Sequence, residues 1–128
     1  MSKDLLADAL NTMKTHEIKG EEKCEVRVSK IVGEVLRLLK DAGYIRGYEY
    51  VDDGVGGYYA VELTGTINNC GVIKPRFPVK KGEWAKVEEV YIPGVGVGML
   101  IVSTPQGIMT NADANSRQMG GRLLAFVY

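Results

Sequence analysis

Gly98-Met99-Leu100-Ile101-Val102-Ser103-Thr104-Pro105-Gln106-Gly107-Ile108-Met109-Thr110-Asn111 is the stretch whose reading decides the fold. Gly98 to Val102 carries no charge and reads as a buried strand, while Thr110 can cap a short polar helix running to Met119, with Asp113 in its first turn. Between them lies a turn of small hydroxyls, an amide and a glycine. A rigid strand would thus hold Ser103 and Thr104 while free backbone N–H groups gather at the helix start. That frame suits neutral hydrogen bonding to phosphates, 2′-hydroxyls and base edges, which is how proteins recognise structured RNA. The same spacing also describes a plain strand-to-helix turn whose hydroxyls serve its own backbone.

Downstream, Gly120-Gly121 reads as the end of that helix, and Arg122 to Tyr128 as a closing apolar strand tied into a sheet. Upstream, Thr66 to Asn68 and Gly71 to Ile73 are short strand candidates, and Glu83 to Val90 can be helical. Two prolines make the basic segment Lys74-Pro75-Arg76-Phe77-Pro78-Val79-Lys80-Lys81 an edge or a loop. Its cations are either a solvated surface or an electrostatic footprint with Phe77 stacking on a base or sugar. Trp84 and Tyr91 read as core or inter-lobe packing.

The first half has a different pattern. Leu5, Leu6, Ala9, Leu10 and Met13 recur at helical spacing between Asp4 and Lys14. Cys24 to Val28 alternates as a half-buried strand, and Ser29 can cap a second helix, Lys30 to Ala42, that stops at Gly43. Tyr44 to Val51 and Gly57 to Leu63 form a predicted hairpin with a tight turn at Gly54. The expected fold is therefore α+β with two lobes: an α-β-α-β-β lobe over residues 1–64, and a mainly β lobe with a short helix over residues 65–128.

With 128 residues, 45% hydrophobic and 25% charged, the chain is neither a disordered tail nor a fibre nor a disulfide miniprotein. Sixteen basic residues balance sixteen acidic ones, so whole-molecule attraction to a polyanion is absent. The longest uncharged apolar stretch, Val95 to Val102, is too short for a membrane span, and the N-terminus lacks the apolar run of a secretory signal. The expected location is cytoplasmic, with no membrane partner. Cys24 and Cys70 form no CxxC pair and read as small buried residues, and His16 reads as part of a solvated loop. Pro93-Gly94-Val95-Gly96-Val97-Gly98 leads into a strand rather than a helix, which argues against a phosphate loop. No metal site, cofactor or catalytic group is expected.

The order of residues adds a resemblance. The run from Gly98 to Met109, then Ala114, Gly120-Gly121 and Leu123-Leu124-Ala125-Phe126-Val127-Tyr128, resembles the signature of the S-eight family of small-subunit ribosomal proteins. Asp8-Ala9-Leu10-Asn11, Ser29-Lys30, Asp52-Asp53-Gly54 and Ile73-Lys74-Pro75-Arg76 are similar to that family in its archaeal form. The resemblance spans essentially the whole chain.

It implies an α/β lobe packed on a mainly β lobe, in a non-enzymatic protein that binds a helix in the central domain of small-subunit rRNA and supports subunit assembly. Some members also bind their own mRNA and repress its translation. By position, Ser103 and Thr104 match the family's contacts to the RNA core, with Gln106, Gly107, Thr110 and Asn111 on the same loop; Lys30 and Asn11 match a second contact surface. Lys74 and Arg76 complete the expected RNA-binding set. The implied partners are small-subunit rRNA, neighbouring ribosomal proteins and the protein's own mRNA, with no homo-oligomer. Asn115 and Gln106 depart from the pattern, each removing positive charge that relatives carry. The competing reading is a protein-interaction or ligand-binding α+β module with no RNA target.

Overall fold

The computed structural model describes residues 4–94 and 97–128, and the chain divides into two compact units, one ending at Asn68 and one spanning Asn69–Tyr128. Helices and antiparallel sheets build both, so the fold is α+β.

The first unit runs α1 (Leu5–Ile18), β1 (Lys23–Arg27), α2 (Lys30–Asp41), β2 (Ile45–Val51) and β3 (Tyr58–Leu63), in the expected α-β-α-β-β order. Asp4 caps α1 by accepting from the Ala7 N–H, and Ser29 caps α2 by accepting from the Val32 N–H. The apolar stripes do what their spacing requires: Leu6, Leu10 and Met13 of α1 and Val32, Val35, Leu36 and Leu39 of α2 are buried. They pack on an antiparallel sheet ordered β1-β3-β2, to which β1 contributes Cys24 and Val26 while its alternate charged residues stay exposed. His16 lies within α1 rather than in a loop, because helical hydrogen bonding continues four residues past Lys14. Its Nδ1 approaches the Glu21 carboxylate to 3.2 Å without the alignment of a hydrogen bond.

Two further sequence expectations fail in this unit. The β2–β3 connection is a six-residue loop, not a tight turn. Asp52 accepts from the Gly54 N–H, and Asp53 accepts from the N–H groups of Val55 and Gly57, so the two carboxylates organise the loop. Those backbone donors hold the Asp53 carboxyl below its ordinary range. Thr66 to Asn68 is not a strand, since the N–H groups of Gly65 and Ile67 donate to the Glu17 carboxylate instead of to a neighbouring strand.

Both cysteines are buried and free. Burial, reinforced by the nearby Glu17, Glu21 and Glu25 carboxylates, pushes the Cys24 thiol up to about 11. Its folded value lies above the ordinary 9.0, so the stability this group contributes is present below pH 9 and is lost as pH climbs toward about 11. Alkylation of Cys24 in the folded protein at pH 8 should proceed at the rate of global unfolding, measured by mass spectrometry with and without denaturant; rapid labelling of the native state would contradict this placement.

The second unit contains β4 (Cys70–Val72), β5 (Pro78–Val79), α3 (Trp84–Tyr91), β6 (Met99–Thr104), β7 (Gly107–Thr110), α4 (Asn111–Ser116) and β8 (Gly121–Val127). The strands order β4-β8-β6-β7, and β5 joins at the start of β8. The closing apolar strand is thus an interior strand, with Leu123, Ala125 and Val127 buried. Ile73, Val79, Trp84, Leu100, Val102, Met109 and Leu123 are among the residues of one core. Of the glycine-rich lead-in to β6, Val95 and Gly96 lie outside the described residues, while Gly94 and Val97 form an antiparallel bridge.

Gly120 and Gly121 do not end the helix. It stops at Ser116, and the chain turns through Gln118 at φ 56°. The two glycines serve close backbone approach instead: a Cβ at Gly120 would lie 2.5 Å from the Val79 carbonyl oxygen, and one at Gly121 2.6 Å from that of Ser103.

Candidate nucleic-acid interface

The decisive stretch folds as a hairpin followed by a helix. β6 pairs antiparallel with β7 in the register Ile101↔Thr110, Val102↔Met109, Ser103↔Ile108 and Thr104↔Gly107, leaving Pro105 and Gln106 at the tip. A strand therefore intervenes where the sequence suggested only a turn. Four residues are too few to show an alternation of their own, and β7 is defined by its pairing with β6.

Register separates the two hydroxyls. Thr104 lies on the face of β6 shared with Leu100 and Val102, and it is buried. Its hydroxyl donates to the Gly107 carbonyl at 2.8 Å and accepts from the Gln106 N–H at 3.1 Å, so it closes the hairpin tip. Ser103 lies on the opposite face, half-buried, and its hydroxyl makes no hydrogen bond to the described protein. Its cross-strand neighbours are Ile108 on β7 and Arg122 on β8.

The rest of the loop divides between support and exposure. Thr110 caps α4, accepting from the Asp113 N–H at 3.2 Å. Asn111 is buried: its amide oxygen accepts from the Leu100 N–H at 3.0 Å, and its amide nitrogen donates to the Glu88 carboxylate. Gln106 is exposed and accepts from the Arg117 guanidinium at 2.9 Å, which ties the hairpin tip to the end of α4. Gly107 is exposed with φ 116°, a conformation that disfavours any side chain at the strand start.

Arg122 extends this surface toward the basic segment. Its guanidinium donates to the Arg76 carbonyl at 3.3 Å, which places the backbone of Arg76 beside the strand that carries Ser103's neighbour. Lys74, Arg76, Phe77, Lys80 and Lys81 are exposed. Asn11 on α1 and Lys30 at the first position of α2 are exposed in the first unit. The sequence offers Arg122 only as one of the cations available to phosphate, and it is the pairing register that sets it, with Ile108, beside Ser103. Among the described residues no group of three His, Cys, Asp or Glu side chains could hold a metal, and no helix is long and apolar enough to cross a membrane.

Comparison with known proteins gives the class to which this α+β fold and this strand-borne surface belong. Residues 4–128 match the family described as Ribosomal protein S8. The chain is also 47% identical, over the full length of both chains, to the Small ribosomal subunit protein uS8 of Archaeoglobus fulgidus. The chain belongs to the Ribosomal protein S8 family of small-subunit ribosomal proteins.

Proposed function

We propose that the tip of the β6–β7 hairpin, on its Ser103 side, binds small-subunit rRNA, through Ser103 directly and through Arg122 and the Arg76 segment beside it. The observation that carries this reading is Ser103 itself: a hydroxyl with no hydrogen bond among the described residues, held on a paired strand and flanked by an exposed guanidinium. A group fixed before binding loses little freedom when it meets RNA. Thr104, Thr110 and Asn111 hold the loop in shape, Gly107 and Gln106 form its open tip, and Lys30 and Asn11 offer a second contact. In this role the protein sits in the cytoplasmic ribosome as a single copy beside other ribosomal proteins, on a helix of the central domain, and supports assembly. An mRNA segment presenting the same shape would compete for the hairpin, which is the physical route to repression of the protein's own message.

The test is equilibrium binding to a small-subunit rRNA fragment, run beside denaturant unfolding. Ser103→Ala should weaken binding by about 1–3 kcal/mol, because its RNA partner is left unsatisfied, and should change stability by no more than about 0.5 kcal/mol. Thr104→Val should do the converse, costing roughly 1–2 kcal/mol of folding stability through the two lost turn bonds. Unchanged affinity in Ser103→Ala would sink the assignment. Salt provides a second readout: with Lys74, Arg76, Lys80, Lys81, Arg117 and Arg122 as the cations this unit readily presents, the log–log slope of affinity against monovalent salt should be no steeper than about −5. A much steeper slope would place the binding surface elsewhere.

A further inference from the structure

The sheet of the first unit runs β1-β3-β2, so β1 has a paired neighbour on one side only. The Leu63 N–H donates to the Glu22 carbonyl at 2.7 Å, which makes these two residues a hydrogen-bonded pair of the antiparallel ladder. Such pairs alternate along the strands, so Cys24 opposite Val61 and Val26 opposite Tyr59 also turn their N–H and C=O groups toward β3. The backbone groups of Lys23, Glu25 and Arg27 therefore point away from the sheet, and no hydrogen bond takes them up among the described residues.

Proteins ordinarily hide such an edge under a helix or a loop. Here α1 and the β2–β3 loop only border it, and Lys23, Glu25 and Arg27 stay exposed. Two concavities follow the edge and meet at Glu25. One, of about 620 Å³, has Leu5, Val26 and Val55 in its walls; the other, of about 450 Å³, has His16 and Cys24. Val55 is 86% exposed, although the Asp53 carboxylate accepts from its N–H at 2.9 Å and so fixes the loop that carries it. The surroundings are acidic: residues 1–68 carry twelve acidic and nine basic side chains, and Glu17, Glu21 and Glu25 all act on the Cys24 thiol. A phosphate backbone is repelled by such an edge, and a polypeptide cation is attracted.

We infer that the free edge of β1 receives an extended segment of a neighbouring small-subunit ribosomal protein as a fourth strand, with a lysine or arginine opposite Glu25 and an aliphatic residue on either side of it. Main-chain hydrogen bonds to Lys23, Glu25 and Arg27 supply the affinity, and side chains supply the choice of partner. A residue opposite Glu25 lies on the face away from the helices, where it meets the carboxylate. Its two neighbours turn to the other face, one toward Leu5, Val26 and Val55 and the other toward His16 and Cys24. Lys23 and Arg27 set like charge against a strand that is basic at every second position, which selects a single central cation over a uniformly basic tail.

Hydrogen exchange of the full chain, read at the amides of Lys23, Glu25 and Arg27, tests this in four states. These are the protein alone when dilute, alone when concentrated, bound to transcribed small-subunit rRNA, and in subunits reconstituted from that rRNA and the complete set of small-subunit proteins. The three amides should exchange freely in the first three states and slow by at least about tenfold in the fourth. Protection by rRNA alone would assign the edge to RNA, protection by concentration alone would assign it to a second copy, and free exchange in the subunit would leave it uncovered; each overturns the proposal. Because the Glu25 N–H lies outside the ladder, Glu25→Pro removes a donor to the partner and none to β3. In competition with the wild type for entry into subunits it should lose by about fivefold or more, while its affinity for rRNA stays within about twofold. Equal entry overturns the proposal. If Glu25→Pro does not fold, Glu25→Lys, which keeps the backbone and sets like charge against the partner's cation, takes its place with the same expected loss. A wild type that fails to bind rRNA alone, yet enters subunits with these amides protected, removes the hairpin assignment and leaves this one standing.

Discussion

Trp84→Ala should lower folding stability by about 3–5 kcal/mol, enough to shift a large part of a small protein's margin. Trp84 begins α3 and is 2% exposed, buried with Ile73, Val79, Leu100, Val102 and Leu123. Removing its ring leaves a cavity in a unit too small to fill it by rearrangement. The indole also donates to the Met119 carbonyl at 3.0 Å, which pins the chain just after α4 where it turns toward β8. Losing that anchor loosens the segment holding Arg117 against Gln106, so RNA affinity should fall with stability. Trp84→Phe keeps most of the volume and forfeits the hydrogen bond, so a smaller loss of about 1–2 kcal/mol is expected. Denaturant midpoints for the two variants check this. Equal midpoints for Trp84→Ala and the wild type would mean that this core is not what holds the second unit together.

Much of this fold is readable from the chain because local and tertiary demands agree. α2 begins one residue after a serine whose hydroxyl can cap it, and the residues of its apolar stripe are the ones that fill the core. The final strand was legible because nothing but a sheet interior accommodates Leu123 to Val127 without a charge. Thr110 was legible as a cap because a threonine three residues before an acid satisfies an exposed helix end wherever the helix lies.

What escaped the sequence depends on partners distant along the chain. The N–H groups of Gly65 and Ile67 are claimed by Glu17, 48 and 50 residues earlier, so a strand-like segment has no strand to pair with. At the candidate site the signature gave Ser103 and Thr104 as one unit. Successive residues of a strand face opposite ways, so only the register reveals that one hydroxyl closes the turn while its neighbour remains free. Gly120-Gly121 carried the composition of a helix stop, yet their function is the close passage of three backbone segments.

The strongest effect at the β6–β7 hairpin should come from a buried residue that holds it to its surroundings. Asn111→Leu is expected to cost roughly 2–4 kcal/mol of folding stability, because it strands two polar groups at once. The Leu100 N–H loses its acceptor inside the sheet, and Glu88, reaching across from α3, loses its donor. Leucine has the same branching as asparagine but more bulk, so no cavity forms and the cost combines unmet hydrogen bonding with overpacking. Asn111→Asp separates the two bonds. It keeps an acceptor for Leu100 but sets a second carboxylate against Glu88, so the variant should be destabilised at neutral pH and should recover relative to the wild type as the pH falls and one proton bridges the pair. Unfolding midpoints of both variants between about pH 4 and 8 measure this. A deficit in Asn111→Asp that does not change with pH would show that Glu88 is not the partner, and a near-wild-type midpoint in Asn111→Leu would show that neither bond holds the hairpin to its helix.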